Sequence, residues 1–185
     1  MGSTVFPPAA SGPTLSEITS AGTSAGWGAT GDSAWVHLQT ITRSYDSNTT
    51  TFSSLSGYKK YKIITSRINV SGNQGGVWLR INGDTSSSYF YQGLQFYSGS
   101  WGTNAGNYNR AYVGEMVGGI FYGEFTVDFA NSTAAKRCNV IVNGGGGGWY
   151  NTQVTYTGTS TVSSISILNG DTGTFEGNFY LYGAN

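Results

Sequence analysis

Few side chains in this sequence could do covalent or acid–base chemistry, and their spacing argues against catalysis. His37 is the only histidine and Cys138 the only cysteine, so neither a multi-histidine metal site nor a cysteine pair is available. His37 reads as a half-buried strand residue that shares a face with Trp35 and Ile41. Cys138 alternates with Val140 and Val142, which places its thiol in a core. Serine is abundant, but no Gly-x-Ser-x-Gly elbow sits at a strand-to-helix junction, and no parallel sheet is expected to hold one. Glycoside hydrolysis would need two carboxylates about 5 to 10 Å apart in a cleft. The near candidates are Glu115, Glu124 and Asp128. Glu124 and Asp128 alternate with Thr126 opposite Phe125, Val127 and Phe129, on the solvent face of an amphipathic strand. The glycine-rich stretches lack the Lys-Ser/Thr ending of a phosphate loop and precede no helix. Asp84 and Asp171 each follow Asn-Gly, which is turn chemistry without EF-hand spacing. The expectation is a protein with no enzymatic activity, no cofactor and no metal site.

Aromatic residues are the informative chemistry. They make up 15% of the chain, as 13 Tyr, 9 Phe and 5 Trp, whereas charged residues make up only 10%, against roughly 25% in an average soluble domain. Low charge with Tyr, Trp, Ser, Gly and Asn suits large amphipathic contact surfaces, and it is also common in all-β proteins. Trp101 and Tyr108 stand in a Gly- and Asn-rich stretch, 99–109, that reads as a loop. Trp149 and Tyr150 follow a five-glycine run, 144–148. These four are the candidate binding residues, with rings suited to stack on a host surface glycan. Formal net charge is zero, so no global field draws the chain to nucleic acid. No apolar stretch approaches the ~18 residues of a spanning helix, and no membrane insertion is expected. Lys59, Lys60 and Lys62 read as a solvated, blunted strand edge.

The elements that must position these side chains are strands. From residue 34 onward the apolar period is two, for example in Val77-Trp78-Leu79-Arg80-Ile81. Further strands are expected over 58–70, 88–98, 110–117, 121–129, 137–142, 149–157, 162–168 and 174–182. The first of these is read with Ile64, Ile68 and Val70 inward against Lys59, Thr65, Arg67 and Asn69. Turn signals at Asn82-Gly83-Asp84 and Asn169-Gly170-Asp171 separate neighbours. The expected fold is an all-β, antiparallel, jelly-roll-like sandwich over 34–185. Residues 1–33 are expected to form an extended attachment arm. Pro7, Pro8 and Pro13 exclude a central strand there, and Val5, Phe6, Leu15 and Ile18 are scattered anchors for a partner. Surplus aromatics on second strand faces suggest a homo-oligomer, with a trimer expected. The lone thiol and the absence of a signal-peptide pattern fit folding in a reducing cytoplasm.

Three segments in order carry a resemblance. They are Gly57-Tyr58-Lys59-Lys60-Tyr61-Lys62-Ile63, then Leu79-Arg80-Ile81-Asn82-Gly83-Asp84-Thr85 leading to Ser88-Tyr89, then Val162 to Ile167 followed by Phe175-Glu176-Gly177-Asn178-Phe179-Tyr180-Leu181-Tyr182-Gly183. Together, over 58–183, the sequence resembles a domain of tailed-phage structural proteins, of the tail-fibre or minor virion type. The five-glycine run departs from that pattern. The resemblance implies a cofactor-free β-sandwich on the virion surface, commonly multimeric and made in the host cytoplasm, with other virion proteins as partners. It carries no mapped receptor site. Two placements follow: a tail-fibre or baseplate module contacting the host surface, or a head decoration (cement) protein clamping the capsid through its arm. A cellular carbohydrate-binding lectin is the third reading.

Overall fold

Period-two patterning is realised almost throughout a computed structural model, which describes residues 34–72 and 75–185. The expected arm, with Val5, Phe6, Pro7, Pro8, Leu15 and Ile18, lies outside the described residues. Among the described residues thirteen strands form two antiparallel sheets. The larger runs β1 (Val36–Ser44), β13 (Thr174–Ala184), β3 (Lys60–Thr65), β9 (Ile120–Asp128), β10 (Lys136–Gly144), β11 (Trp149–Tyr156), β6 (Tyr89–Tyr97) and β7 (Ser100–Tyr108), with β4 (Ile68–Ser71) pairing β13 and β9. The smaller runs β2 (Thr49–Phe52), β12 (Ile165–Asn169), β5 (Gly76–Ile81) and β8 (Ala111–Glu115). One 3-10 turn, Val117–Gly119, precedes β9.

The pairing order is that of a jelly roll with insertions. Without β4 and the hairpins β6–β7 and β10–β11, the strands β1, β2, β3, β5, β8, β9, β12 and β13 remain. They pair as first-eighth-third-sixth and second-seventh-fourth-fifth, the interlocked Greek keys of that fold. The two inserted hairpins pair with each other through β11 and β6 and extend the larger sheet beyond β9 as a four-strand wing.

Between the sheets, Phe121, Phe175 and Phe179 are fully buried with ring centroids 5.6 to 6.5 Å apart. Leu79, Ile81, Ile165 and Ile167 of the smaller sheet are fully buried too. Each such side chain contributes on the order of 1.5–3 kcal/mol. Cys138, Val140 and Val142 are buried together, as their alternation indicates. Lys136 is also fully buried, its Nζ donating to the carbonyls of Ala134 (2.7 Å) and Gly158 (3.2 Å), and burial lowers its pKa.

Three expectations are corrected. The segment 58–70 is two strands, and the inward set in the first is Tyr61, Ile63 and Thr65, leaving Ile64 38% exposed. The break at Ser66-Arg67, where Ser66 exchanges hydrogen bonds with Asn178, shifts the phase by one before the buried Ile68 and Val70. His37 is exposed rather than half-buried. A bulge between His37 and Gln39 puts His37 opposite Tyr182 on the outer face, while Ile41 lies opposite the buried Phe179. Finally, 99–109 is not a loop. It is chiefly β7, joined to β6 by the two-residue turn Ser98-Gly99, both at positive φ (51° and 80°), the geometry of a type I′ hairpin.

Candidate functional site

The register of the wing assembles a row of rings that no single strand displays. Trp149 on β11 lies opposite Phe96 on β6, which lies opposite Trp101 on β7. Directly opposed residues share a face, and here it is the outer face of the larger sheet, away from the core. Phe96 and Trp101 rings are 5.2 Å apart, and Trp101 meets Trp149 edge-on at 5.9 Å. Trp101 is nonetheless 71% exposed. Below this row come Asn151, Leu94 and Thr103, then Gln153, Gln92 and Ala105, then Thr155, Phe90 and Asn107. Leu94 and Phe90 are about half exposed.

A depression of about 490 Å³ lies beside the row, lined by Gln92, Gly93, Leu94, Thr103, Asn104, Ala105, Asn151 and Gln153. Its polar groups are neutral amides and a hydroxyl, and the Gln153 amide is held by Asn139 at 3.0 Å. Ring faces beside neutral donors and acceptors can hold an uncharged polyol: apolar C–H faces stack on the rings while hydroxyls meet the amides.

Of the four candidate residues, the structure brings Trp101 and Trp149 together and separates the other two. Tyr108 is on β7 but faces the opposite side, stacked on Tyr91 at 6.1 Å. Tyr150 is buried and cannot meet a ligand. Its hydroxyl donates to Glu115 Oε2 at 3.3 Å, and burial, with Glu115 nearby, pushes its pKa above the ordinary tyrosine value. The reason is simple: Trp149 and Tyr150 are consecutive on one strand, so they point to opposite faces. Sequence reasoning missed Phe96, Leu94 and the amides. The signal was Ser98-Gly99, which pairs Tyr97 with Ser100 and so fixes Phe96 against Trp101.

The candidate acids Glu124, Asp128, Asp84 and Asp171, and His37, are each held in an ion pair or a hydrogen bond. Glu124 pairs with Lys62 (2.9 Å) and Asp128 with Lys60 (3.7 Å), and Lys62 also lies 4.9 Å from the Trp35 ring. Asp84 accepts from Ser86 N–H (2.8 Å), Ser86 Oγ (2.6 Å) and Tyr156 Oη (3.0 Å), the Ser86 bonds chiefly lowering its pKa. Asp171 accepts from Thr172 N–H at 2.8 Å. His37 Nε2 is 2.9 Å from Thr40 Oγ1. Among the described residues no three His, Cys, Asp or Glu side chains cluster to hold a metal ion. The five-glycine run is a tight return from β10, with Gly144 N–H bonded to Gly148 O (2.7 Å) and Gly145 N–H to Ile120 O (3.0 Å). No family model matches the chain, and no curated protein matches it.

Proposed function

We propose that the chain is a non-enzymatic module on the exterior of a tailed-phage virion, carried by a tail fibre or baseplate, that contacts host surface glycan through the wing's outer face. The observation that carries the glycan contact is the Trp149–Phe96–Trp101 row beside the amide-lined depression. The virion placement rests on the resemblance over 58–183. The absence of catalysis is supported by Glu124 and Asp128 held in ion pairs and a solvent-facing His37 within hydrogen-bond distance of Thr40.

The test is binding of the purified protein to host cells and to their extracted surface polysaccharide. Trp101→Ala should abolish retention while leaving the circular dichroism spectrum unchanged, since so exposed a ring carries little of the core. Equal retention of wild type and variant would remove the wing from the reading. Mass spectrometry of separated heads and tails tests the placement: recovery in heads alone would favour capsid decoration. Glycan binding without any virion association would favour a cellular lectin.

A further inference from the structure

Among the described residues the two sheets end in four edges, and three carry devices that discourage pairing with another chain. β2 is four residues long. β8 is five residues long and bulged against β5. β1 is bulged at Leu38 and carries Arg43. Short strands, bulges and charges are how proteins blunt an edge. The fourth edge, β7, is nine residues long, in unbroken register with β6, and free of charge and proline (Ser-Trp-Gly-Thr-Asn-Ala-Gly-Asn-Tyr). We propose that β7 pairs antiparallel with β7 of a second copy of this chain, about a two-fold axis at Asn104.

The hairpin fixes which groups are available. Tyr97 and Ser100 close a two-residue turn, so they exchange hydrogen bonds, as does every second pair beyond them. The N–H and C=O of Trp101, Thr103, Ala105 and Asn107 therefore point away from β6. The register centred on Asn104 matches all four with the mate: Trp101 with Asn107, Thr103 with Ala105, and the reverse. That forms about eight hydrogen bonds, two per pair. On the inner face Gly102 meets Gly106, which leaves room beside the axis, Ser100 meets Tyr108, and no charge meets its own copy. Asn104 sits at the centre, where side chains of facing strands approach most closely. Both of its amide atoms are buried without a hydrogen-bond partner among the described residues; turned towards the axis, the two amides can bond each other reciprocally. This assembly closes with two copies, so it favours a dimer over the trimer expected from the aromatic surplus. It does not depend on glycan binding.

Light scattering of the 185-residue chain should give the mass of two copies. Ala105→Pro removes an outward N–H without touching the β6 ladder, and should give one copy with an unchanged circular dichroism spectrum. Should that variant fail to fold, Thr103→Lys, which adds the missing edge charge, should do the same. Asn104→Cys should cross-link to its mate under mild oxidation, whereas Asn107→Cys should not, and native Cys138 is buried and out of reach. A wild-type mass of one copy overturns the proposal. So does a dimer or trimer that survives both edge variants, or equal cross-linking at 104 and 107.

Discussion

Tyr89 offers a sharp test of how the wing is tied to the rest of the sandwich. Its ring is fully buried and stacks on Tyr156 with centroids 4.9 Å apart. Its hydroxyl accepts from the Ile81 N–H (2.9 Å) and donates to the Ile81 carbonyl (3.0 Å). β6 belongs to one sheet and Ile81 ends a strand of the other, so this oxygen links the two. Tyr89→Phe keeps the ring and its packing but leaves the Ile81 N–H buried with no acceptor. An orphaned buried donor costs about 1–3 kcal/mol. In a domain of this size each kcal/mol moves the thermal midpoint by about 2–4 °C, so the variant should melt roughly 2–12 °C lower. Urea unfolding followed by tryptophan fluorescence measures the free energy directly, and the denaturant slope should not change. Tyr122→Phe, at an exposed ring on β9, is the control and should stay within about 0.5 kcal/mol of wild type. If Tyr89→Phe is as silent as the control, the hydroxyl is not the tie inferred here.

Other outcomes follow from the same geometry. Thr65→Val removes the acceptor 2.7 Å from the buried Gly123 N–H and should destabilise by about 1–3 kcal/mol in denaturant titration. Gly93→Ala would set a Cβ 2.6 Å from the Asn151 carbonyl oxygen and 2.8 Å from Thr152 Oγ1. Backbone cannot yield as a flexible side chain would, so a loss of about 1–3 kcal/mol is expected, and an unchanged melting temperature would contradict the register. Burial pushes the Cys138 thiol up from 9.0 to about 12, and Tyr89, Tyr91 and Tyr112 are also raised by burial. Raised groups give stability that is complete below their unfolded pKa and lost as pH climbs through the folded one. Stability should therefore hold to about pH 9 and then fall, the thiol's share approaching about 1.4 kcal/mol per pH unit. Cys138→Ala should flatten the curve between pH 9 and 10, before unfolded tyrosines ionise; an unaltered slope there would show that the thiol is not protected.

Most of the sandwich is legible in local pattern because alternation and turn residues are local signals. The expected strands over 121–129, 137–142, 149–157 and 174–182 each overlap an observed one. What escaped depends on pairing. The weak apolar pattern of Ser100–Tyr108 gains meaning only from the β6 ladder beside it, and glycines at 102 and 106 disguise it as loop. Ile64 lies outside the reach of simple alternation because two residues between β3 and β4 reset the phase. The aromatic row joins residues up to about fifty positions apart, and only strand order brings Trp149 to Phe96. Alternation alone says that Trp149 and Tyr150 cannot share a face of one strand, but which of them is buried follows from the sheet packing.

The interlocked hairpins also bear on the order in which the protein acquires its structure. β6 and β7 leave the ribosome with a ready turn between them and can close in about 1–10 μs. Their docking strand, β11, emerges about fifty residues later, and closing so large a loop must precede any reward from the contacts. Until then the inner rings of Tyr89 and Tyr91, buried in the finished sandwich, face solvent. The hairpin therefore waits for β11, and the interlocked Greek keys wait longer still, for β12 and β13, which follow β11 in the chain, so nascent chains stay vulnerable to misassociation until those strands are made.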